Sequence, residues 1–203
     1  ETLNIINELD LKTVLVETKD NEGRLPSVYI DNIEATYEAT KHLLDKGIKN
    51  IAFIGVDKSS TNAWGDRYIG YEKALNEAGI TIDEDLVYFE GLKVKSGYRA
   101  SEKFLASGKN FDGIICASDE IAMGAINGLR EKGVNTPENV SVIGFNDNAV
   151  ASYFYPKLTT VKQPSYDMGS VAMRILIKIL NNKTLEEAEF ILSHELVERE
   201  SCK

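Results

Sequence analysis

Residues 112–148 read DGIICASDEIAMGAINGLREKGVNTPENVSVIGFNDN and contain one complete strand–helix–strand unit. The runs DGIICAS (112–118) and VSVIGF (140–145) are short, apolar and rich in β-branched residues, which is typical of buried strands. Apolar residues between the two runs recur at helical spacing, and Gly133 stands where the end of that helix needs a left-handed residue. Two buried strands joined by a helix predict a parallel pair with a helical crossover.

The same alternation continues on both sides of this unit. The further runs that predict strands are KTVLVE (12–17), NIAFIG (50–55), DLVYFE (85–90) and LTTVKQ (158–163). Amphipathic stripes predict additional helices over residues 33–44, 68–78, 98–105 and 168–179, and Gly47, Gly79 and Gly108 stand at the ends of the first three. The last run, FILSHELVERES (190–201), predicts one closing strand. The sequence therefore predicts an α/β fold whose parallel sheets are flanked by helices.

The composition is that of a globular protein with one large domain or two small lobes. The chain has 203 residues, of which 43% are apolar and 27% are charged. Its net charge of -9 gives it no general attraction for nucleic acid, and its apolar runs are too short to span a membrane. The two cysteines, Cys116 and Cys202, do not favour a disulfide and predict a reducing, cytoplasmic environment. The first residue is Glu1 rather than Met, so we expect a piece of a longer protein.

Polar side chains follow three of the predicted strands at their carboxyl ends. The three clusters are Trp64 with Asp66 and Arg67, Ser118 with Asp119, and the triplet Asn146-Asp147-Asn148. Ligands of open parallel sheets bind outside the carboxyl ends of the strands, where the connections begin. We therefore expect the clusters to converge on one edge and to form a binding cleft.

Signatures of catalysis, metal binding and cofactor binding are missing from the sequence. It contains no GxSxG, HExxH or GxxxxGK[ST] motif, no GxGxxG after a strand and no calcium-loop spacing. Neither His42 nor His194 falls at the expected cleft edge, where a nucleophile would need a base. The sequence therefore predicts a binding protein that needs no cofactor or metal and is not an enzyme.

Two residues of the first cluster have both a ligand-binding and a structural interpretation. Arg67 offers five donors in a rigid fork, suited to hydroxyls, carboxylates or phosphates. Its alternative role is that of a residue in the first turn of a helix, paired with a neighbouring Asp on the surface. Trp64 either stacks on a sugar face and closes over a ligand, or fills a gap in the core. Its place in the polar stretch STNAWGDR (60–67) favours the first interpretation.

The other candidates also have structural alternatives. Asp119 is a good helix N-cap and is expected to act as one, whereas Asn146 and Asp147 can be turn formers alone. Gln163 lies either at a cleft or at an exposed strand end. Leu92 is a hydrophobic residue of a connection that can wall a pocket. The aromatic residues 153–155 are expected to pack between lobes or against a partner.

Four stretches together resemble the LacI/GalR family of bacterial transcription regulators. They are DNIEATYEATKHLLDKGIKNIAFIG, DRYIGYEKALNEAGI, SDEIAMGAINGLREKGVNTPENVSVIGFND and PKLTTVKQP, and the resemblance runs from Val28 to Ser201. The stretch QPSYDMGSVAMRIL (163–176) is most similar to the catabolite control protein branch. The resemblance implies a two-lobed, periplasmic-binding-protein-like domain that forms a homodimer and binds a small sugar or sugar-phosphate effector between its lobes. It also implies operator DNA as a partner, bound through a helix-turn-helix upstream of this chain.

The resemblance also implies roles for individual residues. Arg67 matches the main effector-gripping residue of the family, and Asn146 stands where the family has an Asp that accepts hydrogen bonds from effector hydroxyls. An amide donates as well as accepts and removes one negative charge, so either a neutral sugar or a sugar phosphate fits. The other residues implied at or beside the effector are Trp64, Leu92, Ser118, Asp119, Asp147 and Gln163.

A protein partner is the alternative regulator, if the effector site has been lost. In the catabolite control branch, the helix that matches Tyr166 to Leu176 contacts the serine-phosphorylated phosphocarrier protein HPr. By this resemblance Arg174 is the cation beside the phosphate, with Tyr166 and Asp167 nearby. Otherwise Arg174 is an ordinary solvated helix residue.

The resemblance divides the chain into lobes. Residues 1–48 and 163–182 are expected to be the remainder of an N-terminal lobe, and residues 49–162 and 183–203 the C-terminal lobe. The DNA-binding head and the first part of the N-terminal lobe are expected to be absent from this chain. The implied function is that of the effector-sensing and dimerisation domain of a LacI-type regulator, and the alternative is a sugar-binding protein of an uptake system.

Overall fold

The computed structural model of the chain describes residues 5–6, 9–20, 22–58 and 62–203. Within these residues the strands are β1 (Leu15–Val16), β2 (Ser27–Ile30), β3 (Ile51–Gly55), β4 (Val87–Phe89), β5 (Gly113–Cys116), β6 (Ser141–Asn146), β7 (Thr159–Lys162), β8 (Glu189–Leu192) and β9 (Glu195–Val197). The α-helices are α1 (Asn32–Asp45), α2 (Ala63–Glu77), α3 (Val94–Ala106), α4 (Asp119–Glu131) and α5 (Ser165–Leu180). None of the helices in this described part is long and apolar enough to cross a membrane.

The chain forms two compact units. The smaller consists of the chain up to Asp31 together with Pro164–Ser193, and the larger of Asn32–Gln163 together with His194–Lys203. The chain therefore crosses from one unit to the other directly before Asn32, directly after Gln163 and directly before His194.

The lobe boundaries expected from the sequence differ from all three crossings, by one residue at Gln163 and by more at the other two. Residues 32–48 belong to the larger unit, because α1 packs closely along α2. A Cβ atom on Gly70 of α2 would collide with the backbone of Ile33 in α1, so this close approach requires a glycine. Residues 183–193 belong to the smaller unit, because β8 pairs with β2 there.

The smaller unit contains a three-stranded parallel sheet in the order β1-β2-β8, against which α5 packs. The short strand β2 is absent from the sequence prediction, and β1 covers only two of the six residues predicted for it. The single closing strand predicted over residues 190–201 is wrong. The run divides into β8 in this sheet and β9 in the larger unit, because the chain crosses between the units at Ser193 and His194.

The larger unit contains a six-stranded sheet in the order β4-β3-β5-β6-β7-β9. Its neighbouring strands are parallel except for the antiparallel pair of β7 and β9, which confirms the predicted parallel sheet. The chain moves outward from β3 to β4 and then back across to β5 and β6. Right-handed crossovers therefore place α2 on one face and both α3 and α4 on the other. Because both faces are covered, every residue of β3 and β5 is buried.

The ends of the helices agree with the sequence better than their starts. Gly79 and Gly133 end α2 and α4 in the left-handed region, with φ of 70° and 77°. The predicted start of α2 is wrong, because this helix begins at Ala63 rather than near residue 68. The side chain of Asn62 caps it by accepting the N–H of Trp64 at 3.0 Å. Trp64 and the functional candidate Arg67 therefore lie in the first turns of a helix and not in a loop.

Candidate ligand-binding site

Arg67 extends from α2 to the carboxyl ends of β5 and β6. Its Nη1 donates to the carbonyl oxygen of Ala117, directly after β5, at 2.6 Å. Its guanidinium carbon lies 3.6 Å from the ring centroid of Phe145, the penultimate residue of β6. Arg67 is only 2% exposed, so it is not a surface residue. The charge of this side chain is held over the ends of the two central strands.

Asn32 and Trp64 also contact this guanidinium. Asn32, the first residue of α1, accepts from Arg67 Nε at 2.9 Å, and the Trp64 ring centroid lies 4.6 Å from the guanidinium carbon. Two neutral oxygen atoms and two aromatic faces thus fix the orientation of the fork. The guanidinium is therefore largely covered by the protein.

Asn146 and Gln163 meet at the same edge of the sheet. Asn146 ends β6, and its Oδ1 accepts from Gln163 Nε2 at 2.7 Å. Asn146 and Asp147 both have left-handed backbones, with φ of 112° and 57°. Gln163 directly follows β7 and is 5% exposed, so it is not an exposed strand end. The structure brings Arg67, Asn146 and Gln163 to the ends of three neighbouring strands.

Ser118 and Asp119 differ from the sequence prediction in their structural roles. The prediction of Asp119 as the N-cap of α4 is wrong, because Ser118 is the N-cap and its Oγ accepts from the N–H of Ile121 at 3.3 Å. Asp119 is the first helical residue and is fully buried. Its Oδ1 accepts from the Thr160 hydroxyl at 2.5 Å and its Oδ2 from the N–H of Asn148 at 2.7 Å. Burial raises the pKa of Asp119 to about 6, against the lowering effect of these hydrogen bonds.

Asp147 forms an ion pair that the sequence analysis missed. Its Oδ1 accepts from Arg199 Nη2 at 2.7 Å, and both side chains are less than one-fifth exposed. The partners are 52 positions apart, and Arg199 belongs to a run whose strand pattern carries no signal for this contact. Asn32, which holds Arg67 across 35 positions, was missed for the same reason. The Asp147 carboxylate is therefore engaged by the protein itself.

Leu92 lies in the connection between β4 and α3 and is 37% exposed. Since β4 is the edge strand beside β3, this connection begins at the same carboxyl edge as the other candidates. That Leu92 walls the site remains a prediction.

A cavity of about 300 Å³ lies in the larger unit at the opposite, amino edge of the sheet. Its lining includes Tyr71, whose hydroxyl donates to the carbonyl oxygen of Ile51 at 2.7 Å. It also includes Lys109, which pairs with Asp83 at 2.8 Å. Open parallel sheets bind their ligands outside the carboxyl ends of the strands, so the carboxyl edge is the stronger candidate.

The candidate phosphoprotein contacts lie on α5 in the smaller unit. Tyr166 is 87% exposed, and Asp167 and Arg174 are exposed as well. Met173 and Ile177, at helical spacing from Tyr166, are 56% and 51% exposed. The helix therefore offers an accessible surface that combines aromatic, apolar and charged groups.

The family described as a periplasmic binding protein-like domain matches residues 40–202. The HTH-type transcriptional regulator RegA of Clostridium saccharobutylicum is 64% identical over 201 residues, which are 99% of this chain and 60% of that protein. Other curated relatives are covered to a similar extent, so the chain spans about 60% of the length of the relatives it matches.

Two solved structures have the same fold. The transcription regulator CcpA of Lactococcus lactis is 35% identical, with a TM-score of 0.92 over 99% of this chain and 73% of that chain. The transcriptional regulator CelR in complex with cellobiose is 31% identical, with a TM-score of 0.91 over 98% of this chain and 61% of that chain. The motifs, the fold and these similarities agree, and the chain belongs to the LacI/GalR family as a periplasmic binding protein-like domain near the catabolite control protein branch.

Proposed function

We propose that this chain is the effector-sensing and dimerisation part of a bacterial LacI-type transcription regulator. A small sugar-derived metabolite binds at the carboxyl edge of the six-stranded sheet and changes the affinity of the longer protein for its operator DNA. The observation that carries the proposal is the guanidinium of Arg67, held at the ends of β5 and β6 within the same cluster as Asn146. Sugar hydroxyls and phosphate oxygens are the groups that such a rigid donor fork binds well.

Asn146 sets the class of the ligand. Its amide both donates and accepts, so it can bind a hydroxyl in either direction. It adds no negative charge beside Arg67, and Asp147 is neutralised by Arg199. A neutral sugar and a sugar phosphate are therefore both compatible with the edge, and the phosphate gains from the nearby cation. The relative CelR has been solved with a sugar, cellobiose, which supports this class.

The remaining candidates contribute shape and support. Trp64 already stacks near Arg67 and offers a face to a sugar ring. Ser118 and Asp119 hold the start of α4, while Gln163 holds the Asn146 amide. Leu92 is proposed as an apolar wall at the same edge.

The regulatory part of the proposal rests on the family. The relative RegA is named an HTH-type transcriptional regulator, and CcpA a transcription regulator. By this relationship the longer protein is a cytoplasmic homodimer that binds operator DNA and is not an enzyme. His194 pairs with Glu38 and His42 lies beside Glu198, so neither ring belongs to the described cluster around Arg67. A sugar-binding protein of an uptake system is the alternative with the same fold.

The test uses Trp64, the only tryptophan of the sequence, as a reporter beside the site. The chain is titrated with a panel of sugars and sugar phosphates while tryptophan emission is recorded. One compound is expected to change the emission with saturation. Arg67→Lys should weaken that compound at least about tenfold, because a hydrogen bond to a charged group contributes about 1.5–3 kcal/mol.

Arg130→Lys is the matched control, because Arg130 is exposed near the end of α4 and should leave the affinity unchanged. Equal affinities of wild type and Arg67→Lys would remove Arg67 from the site. An emission that no sugar or sugar phosphate changes would contradict the proposed ligand class.

We also propose serine-phosphorylated HPr as a protein partner, docked on α5. The exposure of Tyr166, Asp167 and Arg174 supports this partner. Arg174→Gln should weaken binding of the phosphorylated form, whereas Lys178→Gln on the same helix serves as the charge control. Equal binding of phosphorylated and unphosphorylated HPr would contradict this role of Arg174.

A further inference from the structure

The turn after β6 has an unfavourable backbone. Asn146 and Asp147 have φ of 112° and 57°, although neither is a glycine. L-residues enter the left-handed region at a cost, which is smaller for Asn and Asp than for other residues, and two in succession need support from their surroundings. This turn determines where the Asn146 side chain points. Whatever holds the turn therefore also directs the amide that the proposed function assigns to the ligand.

Arg199 bridges this turn to the beginning of β7. Its Nη2 donates to Asp147 Oδ1 at 2.7 Å, and its Nη1 donates to the carbonyl oxygen of Leu158 at 2.8 Å. Its own backbone N–H donates to Thr159 Oγ1 at 2.9 Å, which anchors the residue at the other end. The two side chains are 18% and 17% exposed, so water screens the pair only weakly. The planar guanidinium of Arg199, bound to these two partners, fixes the orientation of the Asp147 carboxylate.

Two other contacts hold the residues on either side of Asp147. Asp119 Oδ2 accepts from the N–H of Asn148, and Gln163 Nε2 donates to Asn146 Oδ1. Neither of these contacts involves the backbone or the carboxylate of Asp147. The Arg199 contact therefore acts on the left-handed residue itself.

We propose that Arg199 is a positioning residue of the ligand site: it holds Asp147 in the left-handed conformation and so, together with the direct contact from Gln163, fixes the direction of the Asn146 amide. The proposal deepens the proposed function and rests on it, since it takes Asn146 as a ligand contact. Asp147 thereby becomes part of the support of the site. The segment after β9, which carries Arg199, thereby contributes to the binding of the ligand.

The test exploits the conformational freedom of glycine. Glycine adopts a φ of 57° at little cost, whereas alanine does not. If Arg199 acts by holding this conformation, Asp147→Gly should compensate for the loss of Arg199, and Asp147→Ala should not. Arg199→Ala is therefore made alone, with Asp147→Gly and with Asp147→Ala.

The readout is the side-chain amide signal of Asn146 in protein labelled with ¹⁵N-asparagine, assigned by its absence from Asn146→Asp. We expect Arg199→Ala to shift or broaden this signal. The Gly double variant should return it towards the wild-type position, and the Ala double variant should leave it displaced. The unfolding equilibrium constants of the two double variants in urea should differ by roughly tenfold in favour of Gly.

An unchanged Asn146 signal in Arg199→Ala would overturn the proposal, and so would equal behaviour of the Gly and Ala double variants. If Arg199→Ala does not fold, Arg199→Lys replaces it in the same comparison, since it keeps the charge but loses the two-pronged contact. No ligand is needed for these measurements. Their failure is therefore distinguishable from failure of the proposed function, which the tryptophan titration tests separately.

Discussion

Replacement of Asp119 by asparagine should remove a pH dependence of stability that the wild type has. Asp119 is fully buried at the start of α4, and its two oxygens accept from Thr160 and Asn148. Asparagine has nearly the same shape and keeps one acceptor oxygen. The Thr160 hydroxyl can reverse its role and accept from the new NH₂ group. The substitution therefore removes a buried charge with little change in packing.

The magnitude follows from the pKa of this carboxyl group. A rise from 3.8 to about 6 corresponds to about 3 kcal/mol of folding free energy that the ionised group costs at neutral pH. Between these two values the folded state binds more protons than the unfolded state. The contribution of Asp119 to stability therefore falls as the pH rises through this window. Asp147 raises the pKa and Arg199 lowers it, but burial is the largest cause.

The assay is urea unfolding, followed by far-UV circular dichroism, of wild type and Asp119→Asn at several pH values between 4 and 7. We expect the free energy of unfolding of the variant, minus that of wild type, to increase by up to about 3 kcal/mol across this range. Differences that do not depend on pH, such as an altered hydrogen bond, cancel in this comparison. Glu120→Gln, at the exposed next position, controls for the loss of a first-turn charge. Parallel pH profiles of wild type and Asp119→Asn would refute the reasoning.

Four further substitutions have defined outcomes in urea unfolding at neutral pH. Ser118→Ala removes the cap of α4 and should cost about 1 kcal/mol of stability; an unchanged midpoint would contradict its capping role. Gly124→Ala places a Cβ against the backbone of α3 and should lower the free energy of unfolding by about 1–3 kcal/mol. Gly169→Ala has nothing near its Cβ and should stabilise α5 by up to about 1 kcal/mol. The same sign for both would be inconsistent with close packing of α3 on α4. Asn32→Ala removes the acceptor of Arg67 Nε and should lower the free energy of unfolding by about 1–3 kcal/mol. It should also alter the emission of Trp64, which contacts the same guanidinium; unchanged emission would argue against these two contacts.

The parts of the fold that follow from local patterns were predictable from the sequence. Alternation of β-branched runs with helical stripes predicts the parallel sheet of the larger unit, and Gly133 predicts the end of α4. The start of α2 was missed, because a polar stretch that begins a capped helix looks like a loop until the cap of Asn62 is seen. The split of residues 190–201 into two strands was missed for a different reason. Both halves have strand character, and only the tertiary path assigns them to different sheets.

The candidate site, like the fold, was predictable only in part. That the clusters around Arg67, Ser118 and Asn146 lie at one edge follows from the topology of a parallel sheet alone. Their hydrogen-bond partners do not follow, because Asn32 and Arg199 are far away in the sequence. Either partner can be replaced by other residues without disturbing the periodicity, so no local pattern identifies them. Long-range polar contacts of this kind are visible only in three dimensions.

Several locally unfavourable features of the larger unit lie at the edge where the ligand is proposed to bind. A buried guanidinium, a buried carboxyl group with a raised pKa and two successive left-handed residues lie at the ends of neighbouring strands. Locally unfavourable features of this kind are typical of functional sites, because stability alone would remove them. The residues that Arg67 and Asn146 bind are Asn32 and Gln163, which are the first and last residues of the segment between two crossovers of the chain. A ligand that exchanges hydrogen bonds with either side chain would therefore change the bonding of a residue next to a crossover.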